Sequence, residues 1–415
     1  MSTSSRATQR ARHGTRGSGG SIMRIVAAVM AGVFGFGIVL GATYWDRLQN
    51  SFDTQDIAGL VHQPSHTPAA TPSVSPTGDA PPVDSESGND INILLIGSDS
   101  RAGKNGDIGG KVAGGMRSDT TMIMHISADR SRIDFLSIPR DMRVRVSDCK
   151  MLDGSIKKGW TGKFNIAFAN GGIHGSEAEA AACTMQTLID LTGITFDHYA
   201  VVDFAGFEKM INAVDGVPMC IPQAINDSRS KLHIKAGPQV LKGKTALAYA
   251  RVRHIGDGTD LQRIGRQHEL MNNLAKKVLG MNVLTDAPQL TLLLKSAGES
   301  MTMDPDLGSL TYLVGLAYSL RNIDQDNINF ETVPWKYAGD KSGDVLPTDQ
   351  APVVYKRIKN DIPMDGGVTQ SVDTPATPDA GTSTGTGTGS GTGGVTTSPT
   401  PERLTQKEIL AECDA

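Results

Sequence analysis

The chain has 415 residues, a formal net charge of −4 and a sequence pI near 6.1. This balance lacks the global basic excess of nucleic-acid-binding domains, so no nucleic-acid partner is expected. Aromatic residues make up only 5% of the chain, which argues against a polysaccharide-binding module built on aromatic platforms.

The N-terminus predicts a membrane anchor. Residues 1–24 contain five arginines and no acidic residue, and Ile25 to Trp45 then run without a charged residue. About 20 apolar residues cross a bilayer as a helix, and the preceding arginines favour a cytoplasmic N-terminus. We therefore expect a single-pass protein of the cell membrane with most of the chain outside the cell. A cleaved secretory signal is the alternative. Gly37 and Gly41 form a GxxxG pair that would allow a homodimer through the span.

Composition divides the rest of the chain. Residues 46–88 contain six prolines and many Ser and Thr residues, which predicts a disordered stalk. Residues 362–400 are rich in Gly, Thr and Ser and are predicted to be a flexible linker, followed by a short C-terminal helix over 401–415. Residues 89–361 have an ordinary composition and are long enough for one large folded domain.

Strand and helix patterns alternate within residues 89–361. Five apolar runs predict strands: Ile91–Gly97, Thr121–Ser127, Arg132–Pro139, His198–Phe204 and Ile328–Pro334. Three segments predict helices: Ser176–Gly193, Phe204–Gly216 and Asp260–Gly280. Two more helices are expected within Gln289–Leu320. Ser176 is the expected N-cap of the first helix, with Glu179 in the capping-box position. This alternation predicts a three-layer α/β/α domain with a mixed central sheet.

Four cysteines are expected to lie in an oxidising compartment, where disulfides are stable. They are Cys149, Cys183, Cys220 and Cys413. Four cysteines allow three connectivities, and the sequence does not choose among them. If all four are paired, Cys413 must bond to the domain and hold the C-terminal segment on it. A frayed tail with a free thiol is the alternative.

Charged residues lie at the ends of the first three predicted strands. Asp99 and Arg101 follow the first strand, Arg117 and Asp119 precede the second, and Arg140 follows the third. Loops at strand ends are where ligands collect in open α/β sheets. Two carboxylates can hold Mg²⁺ or Mn²⁺ together with water and substrate phosphate, and arginines bind phosphate oxygens through paired donors.

A second group of arginines occupies the stretch from Tyr249 to Leu270. If Asp260 begins a helix, Arg263, Arg266 and Gln267 share one face near its N-terminus, where free amides attract anions. Arg251 and Arg253 point the same way if the chain is extended there. Any single arginine could instead pair with a surface acid. The whole set, with two aspartates at strand ends, predicts a diphosphate site.

Five blocks carry a resemblance to a known family. "LLIGSDSR", "MRSDTTMIMHI", "LSIPRDM", "DHYAVVDFAGFEKMINAVDGVPM" and "LKGKTALAYARVRH…D…R…RQ" occur in the family's order over about Ile91–Leu279. In these blocks the chain resembles the LytR-CpsA-Psr family of membrane-anchored cell-wall enzymes. The resemblance implies an α/β/α fold that holds a polyprenyl diphosphate lipid in an apolar channel. It also implies transfer of a glycopolymer, as its sugar phosphate, to peptidoglycan in a Gram-positive cell wall, with release of polyprenyl phosphate.

The resemblance also assigns roles to residues. Asp99 and Asp119 would bind Mg²⁺, and Arg140, Arg251, Arg253 and Gln267 would hold the diphosphate, with Arg101, Arg117 and Arg263 nearby. Arg140, Arg251, Arg253 and Asp99 are the catalytic candidates. His268 stands where the family usually has a second glutamine, so a difference is expected at the outer edge of the site. Five apolar side chains could line the channel or belong to the core: Met122, Met124, Phe135, Phe204 and Phe207.

Two other functions use the same features. A polyprenyl diphosphate hydrolase would have the same site with water as the acceptor. A non-catalytic regulator of envelope assembly would need no reacting groups. The expected partners of a transferase are the lipid-linked glycopolymer, the peptidoglycan acceptor and the membrane.

Overall fold

The structure is a computed structural model that describes residues 49–50, 52–64, 83–100, 116–252, 260–281, 287–340, 342–364 and 413. The predicted basic tail and the predicted span lie outside these residues. The same holds for the predicted linker after residue 364 and for the predicted C-terminal helix apart from Cys413. Within the described ranges, no helix is both long and apolar enough to cross a membrane.

The described residues form strands and helices with the following bounds. The strands are β1 (Asp53–Thr54), β2 (Ile91–Ser98), β3 (Ser118–Ile126), β4 (Ile133–Ile138), β5 (Arg143–Arg145), β6 (Cys149–Lys150), β7 (Ile156–Lys157), β8 (Thr161–Lys163), β9 (His198–Val202), β10 (Val217–Ile221), β11 (Ile225–Asp227), β12 (Leu232–Ile234), β13 (Gly237–Leu241), β14 (Met301–Met303), β15 (Ile328–Thr332), β16 (Trp335–Tyr337) and β17 (Val345–Pro347). The helices are α1 (Ile166–Gly171), α2 (Glu177–Thr192), α3 (Phe204–Ala213), α4 (Gly243–Arg251), α5 (Asp260–Leu279), α6 (Ala287–Gly298), α7 (Leu310–Ser319) and α8 (Ala351–Lys359).

Seven strands form one mixed sheet in the order β1–β14–β9–β2–β3–β4–β15. β2 is parallel to β9 and antiparallel to β3, and β4 is antiparallel to β3 and parallel to β15. The five predicted strands are therefore confirmed and make up five neighbouring positions of this sheet. The remaining strands pair into two-stranded antiparallel sheets: β5–β8, β6–β7, β10–β13, β11–β12 and β16–β17.

Helices cover both faces of the sheet. Leu94 and Ile96 of β2 belong to one buried cluster with Ala181 and Leu188 of α2. Leu95 points to the opposite face because side chains alternate along a strand, and this second face is covered by α3, α4 and α5. The predicted mixed α/β architecture is confirmed, with apolar runs in the central strands because both of their faces are buried.

The ends of α2 follow from its sequence. Ser176 caps the N-terminus by accepting a hydrogen bond from the Glu179 amide, and Gly193 ends the helix in the left-handed region at φ 70°. The Glu179 side chain does not complete the expected capping box. Its carboxylate is 3% exposed and accepts a hydrogen bond from the Leu152 amide at 2.7 Å.

The predicted stalk is wrong for two segments that belong to the folded domain. Within residues 52–64, β1 pairs with β14, and Phe52 and Ile57 are buried. Residues 83–90 are held by Arg130, which binds the Asp84 carboxylate at 2.8 Å and the carbonyls of Glu86 and Asn89. Composition missed these segments because their few apolar residues are interspersed with polar ones. The domain also extends past 361 to Met364, which is 3% exposed.

The four cysteines form two disulfides. Cys149 pairs with Cys183, and this bond is buried with Met151 under the β6–β7 hairpin. Cys220 of β10 pairs with Cys413, 193 residues further along the chain. The alternative of a free C-terminal thiol is therefore wrong, and Cys413 is bonded to the domain.

Candidate active site

A cavity of about 610 Å³ lies between the sheet and the helices α3, α4 and α5. Most of its wall is apolar, and the residues forming that part come from four strands and three helices. They include Leu95, Met122, Val202, Phe204, Phe207, Met210, Leu247, Leu270, Met271, Leu274 and Met301. The cavity therefore provides the water-excluding surface that a hydrocarbon chain requires.

Seven predicted site residues line this same cavity. They are Asp99, Arg117, Asp119, Arg140, Arg251, Arg263 and Gln267. The other two, Arg101 and Arg253, lie outside the described residues. Residues that are up to 168 positions apart in the sequence thus line the same cavity, next to its apolar wall.

A β-bulge places the two aspartates. Gly97 pairs with Thr120 but Ser98 pairs with Ser118, so Asp119 is the extra residue in β3. Such a bulge locally disrupts the ladder and redirects a side chain. Asp119 therefore lies within β3. The sequence had predicted that it precedes this strand, and that prediction is wrong. Asp99 follows β2, and its Oδ1 accepts a hydrogen bond from the Arg117 amide at 2.6 Å.

Two carboxylates hold Arg140. Its Nη1 donates to Asp119 Oδ1 at 2.6 Å, and its Nε lies 3.3 Å from Asp141 Oδ2. The other oxygen of Asp141 accepts a hydrogen bond from Lys163 Nζ at 2.7 Å. This contact, which outweighs the opposing effect of burial, raises the pKa of Lys163. Asp141 was not among the predicted site residues, although it directly follows Arg140 in the "PRD" motif.

Helices α4 and α5 supply the remaining polar groups. Arg251 is the last residue of α4, so the expected extended conformation at this residue is wrong. Its guanidinium lies 4.2 Å from the centre of the Phe204 ring. This cation–π contact orients the guanidinium at the cavity wall.

Three residues near the start of α5 were expected to face the site together, and two of them, Arg263 and Gln267, do so. Arg263 is 2% exposed and donates to the Asp119 carbonyl at 3.0 Å, and Gln267 donates to the Ala250 carbonyl at 3.1 Å. Both line the cavity. Arg266 does not line it, since its guanidinium donates to the carbonyl of Val252.

His268 does not line the cavity. The prediction that this residue makes the outer edge of the site differ from that of the family is therefore wrong. Its Nε2 is 2.7 Å from Ser137 Oγ and its ring is 5.5 Å from that of Phe330. One residue along a helix rotates the side chain by about 100°, which turns His268 toward the sheet while Gln267 faces the cavity. Of the five apolar candidates, Met122, Phe204 and Phe207 line the cavity. Phe135 instead stacks on Phe330, and Met124 is not part of the lining.

Comparison with known families identifies the family of this chain. A sequence model of the LytR_cpsA_psr family matches residues 60–356, which contain the cavity and all nine predicted site residues. The chain belongs to the LytR-CpsA-Psr family. The match begins at residue 60, within the N-terminal segment that the structure places in the domain.

Several curated proteins are similar to this family member. The cell wall biosynthesis protein LcpA of Corynebacterium glutamicum is 33% identical over 263 residues, 58% of this chain and 49% of LcpA. The probable cell wall biosynthesis protein LcpB of the same organism is 32% identical over 268 residues, 63% of this chain and 58% of LcpB. The regulatory protein MsrR of Staphylococcus aureus is 29% identical over 59% of this chain and 65% of MsrR. The matched region thus spans about half to two thirds of these relatives.

Solved structures share the fold. The crystal structure of B. subtilis TagV has 25% sequence identity and a TM-score of 0.51, covering 66% of this chain and 98% of TagV. Protein gbs0355 from Streptococcus agalactiae has 23% identity and a TM-score of 0.52, covering 66% of this chain and 87% of gbs0355. The central mixed sheet with its helices is therefore the fold of this family.

The donor set at the cavity fits a divalent cation such as Mg²⁺ or Mn²⁺. No group of three or more His, Cys, Asp or Glu side chains that could hold a metal ion occurs in the described parts of the chain. Mg²⁺ does not require one, because it commonly uses one or two carboxylates and completes its shell with water and substrate phosphate. Asp99 and Asp119 supply two carboxylates on one cavity wall, so they match this pattern.

Proposed function

We propose that this family member is a phosphotransferase that moves a glycopolymer, as its sugar phosphate, from a polyprenyl diphosphate carrier onto peptidoglycan. One observation carries the proposal: a single cavity joins an extended apolar wall to four arginines and to the two candidate metal ligands, Asp99 and Asp119. A lipid-linked diphosphate has the same two parts, a hydrocarbon chain and a compact anion. The names of the LcpA and LcpB relatives, which refer to cell wall biosynthesis, support a substrate from this process.

In this proposal the arginines hold the diphosphate. Arg140, Arg251, Arg253 and Gln267 contact its oxygens, and Arg101, Arg117 and Arg263 add positive charge around it. Arg263 is almost fully buried, and a buried charge interacts more strongly because the local dielectric is low. Phosphoryl transfer depends mainly on positioning and charge neutralisation, so a set of fixed donors can provide much of the catalysis.

Asp99 and Asp119 would hold Mg²⁺ or Mn²⁺, which supplies charge neutralisation at the phosphate oxygens. An acceptor hydroxyl on peptidoglycan attacks the sugar-side phosphorus, and a new phosphorus–oxygen bond forms. The bond from that phosphorus to the bridging oxygen breaks, and polyprenyl phosphate leaves. The hydroxyl proton passes to solvent or, where the cation leaves it free, to the Asp99 carboxylate.

The predicted membrane span fits the location of such a substrate. A single-pass anchor with a cytoplasmic N-terminus would hold the domain beside the outer leaflet, where the lipid carrier is embedded, and below the wall that contains the acceptor. Attachment to the same surface as the substrate raises its effective concentration.

The first test is whether the protein binds the lipid diphosphate. Full-length protein is purified in detergent, its bound lipids are extracted for mass spectrometry, and its affinity for added polyprenyl diphosphate is measured. Arg140→Ala and Arg251→Ala should each weaken binding at least tenfold, because each removes a charge-assisted contact worth about 1.5–3 kcal/mol. Arg321→Ala is the matched control, since Arg321 is exposed and lies over Tyr318 outside the cavity.

Turnover then separates the transferase from the hydrolase. With peptidoglycan present, the transferase yields polymer linked to the acceptor and polyprenyl phosphate, and a chelator should suppress this yield. Free polymer as the product at saturating acceptor would favour the hydrolase. Wild-type binding and turnover in both arginine variants would exclude the cavity as the reaction site.

A further inference from the structure

An exposed apolar patch lies outside the cavity. Four large apolar side chains between residues 152 and 173 are strongly exposed: Leu152 at 62%, Ile156 at 60%, Trp160 at 44% and Ile173 at 55%. We call these four residues the apolar patch. Single exposed apolar residues are ordinary, but a group of them on neighbouring elements marks a surface that contacts something else.

Two neighbouring elements, the β6–β7 hairpin and a 3₁₀ turn, carry three of the patch residues. Leu152 lies in the turn of the hairpin and Ile156 begins β7, whereas Trp160 directly precedes β8. Ile173 belongs to a 3₁₀ turn at Gly172–His174. Glu179 joins the two elements, because its carboxylate accepts from the Leu152 amide at 2.7 Å and lies 3.9 Å from the His174 ring.

The hairpin is held rigidly, so its exposed side chains are permanently presented. The Cys149–Cys183 disulfide bonds its base to α2, and Met151 is 1% exposed beside that bond. The 3₁₀ turn also packs closely against α2. Gly171 precedes this turn, and a Cβ added there would lie 2.3 Å from the Glu179 carbonyl oxygen.

The segment that carries three of the four patch residues is rich in positive charge. Residues 145–160 contain four cationic side chains, Arg145, Lys150, Lys157 and Lys158, and two carboxylates, Asp148 and Asp153. Lys158 pairs with Asp148 at 2.7 Å. The segment therefore retains a net positive charge around apolar side chains and an exposed indole. This combination is typical of surfaces that rest on anionic lipid headgroups, where apolar side chains enter the interface and lysines remain in water.

Two contacts connect the patch to the parts of the protein that concern lipid. Lys150 Nζ donates to the Gly59 carbonyl at 3.0 Å, and Gly59 belongs to the first folded segment after the predicted span. A Cβ added at Gly172 would lie 3.1 Å from Met116, the residue before Arg117 of the cavity wall. Residues adjacent to the patch in the chain thus contact the N-terminal segment and the residue before Arg117.

We infer that the apolar patch docks on the outer surface of an anionic lipid bilayer. Leu152, Ile156 and Ile173 enter the interfacial region, Trp160 lies at the headgroup level, and Lys150 and Lys157 contact anionic headgroups. Docking would orient the domain on the membrane, in addition to tethering by the predicted span. The inference shares the membrane location with the proposed function but does not depend on the reaction.

Trp160 provides the measurement. The chain has three tryptophans, so Trp45→Phe with Trp335→Phe leaves Trp160 as the single emitter. Full-length protein with these changes is reconstituted in nanodiscs of anionic lipid with and without brominated acyl chains. Docking predicts that bromination quenches Trp160 emission, and that replacing the anionic lipid with a zwitterionic one reduces the quenching. A matched protein that retains only Trp335 reports the background.

Variants of the patch test its role in the contact. Leu152→Ser with Ile156→Ser, and separately Ile173→Ser, should reduce the quenching of Trp160. Val353→Ser with Ile362→Ser is the matched control, because these side chains are 46% and 45% exposed outside the patch. Melting temperatures should be unchanged throughout, since all of these side chains are exposed.

Two outcomes would overturn the inference. One is Trp160 quenching no greater than that of Trp335, or quenching that neither patch variant reduces. The other is a response of Trp160 emission to peptidoglycan fragments without quenching by brominated lipid, which would assign the patch to the wall. Since no step measures turnover or diphosphate binding, the inference and the proposed function can fail separately.

Discussion

At the scale of single residues, Arg140 and the proposed cation compete for the same carboxylate, Asp119. Asp119 neutralises its Nη1 edge, yet the same carboxylate would hold a cation in the proposed function. Asp141 binds the other edge through Nε and is fixed in turn by Lys163. When Asp119 engages a cation, Asp141 remains to orient the guanidinium toward a phosphate. Asp141 is therefore a positioning residue of the site.

Asp141→Asn should weaken binding of polyprenyl diphosphate about fivefold, because ion pairs that remain partly exposed contribute about 1 kcal/mol or less. Titration calorimetry on full-length protein would measure the affinity. Asp340→Asn is the control, since Asp340 pairs with Arg143 at an exposed position outside the cavity. Equal affinity for the two variants would show that Asp119 alone positions Arg140.

His268 should make folding sensitive to acid. Burial lowers the pKa of His268 to about 4, below its ordinary value of 6.5. Between these values the unfolded chain binds a proton that the folded protein does not, so stability falls as the pH decreases from 6.5 to about 4. The loss should reach roughly 2–3 kcal/mol at the lower end of this window, since one pKa unit corresponds to 1.36 kcal/mol.

His268→Gln removes this titration and should flatten the dependence of unfolding free energy on pH over the same window. Chemical denaturation of both proteins at several pH values would measure it, with Ser137→Ala as a control that removes the partner of His268 but keeps the histidine. Parallel pH profiles for wild type and His268→Gln would contradict a buried neutral imidazole.

The residue types at the site could be predicted from the sequence, but their geometry could not. All seven described candidates line one cavity: Asp99, Arg117, Asp119 and Arg140 converge at one edge of the sheet, and α4 and α5 bring Arg251, Arg263 and Gln267 to the same place. The bulge at Asp119 could not be predicted, because a register shift depends on the pairing of two strands that are distant in the chain. The direction of His268 depends on the phase of α5 relative to the sheet, which a short motif does not define. The roles of these residues remain predictions.

At the scale of elements, long apolar strands were predictable and short edge elements were not. The observed β2, β3, β4, β9 and β15 begin and end within three residues of their predicted bounds. β1 has two residues, too few for any periodicity, and exists because Gly308 leaves room for it. A Cβ at Gly308 would lie 2.2 Å from the Thr54 side chain. Tertiary packing, rather than local preference, determines such an element.

Gly315 of α7 makes a similar close approach, since a Cβ there would lie 2.1 Å from the Val83 carbonyl oxygen. Gly315→Ala should therefore destabilise the protein by about 1–3 kcal/mol despite the better helix propensity of alanine. Hydrogen exchange should accelerate in residues 83–90, which pack on this helix. Thr311→Ala is the control at an exposed position of the same helix and should be neutral or slightly stabilising. Unchanged exchange in residues 83–90 would argue against this contact.

At the scale of the whole molecule, the folded domain begins earlier than composition indicates. Because β1 belongs to the sheet, the segment between the predicted span and the first strand is residues 46–52. The sequence had predicted a longer segment, residues 46–88. A soluble form should therefore begin before Phe52 to retain β1. A form beginning at residue 89 would remove β1 and two partners of Arg130, Asp84 and Glu86, so it should melt at a lower temperature than one beginning at residue 49.

The Cys220–Cys413 disulfide gives the molecule a covalent loop that includes the predicted linker. We expect a protease site inserted within residues 381–394 to be cleaved without release of the C-terminal fragment, because the disulfide joins residues 193 apart. Non-reducing electrophoresis should show one species after cleavage, and reductant should separate two. Cys413→Ser should release the fragment without reductant, whereas Cys149→Ala with Cys183→Ala should not. Release from the wild type before reduction would mean that Cys413 is not bonded to β10, and the C-terminal segment would then be free of the domain.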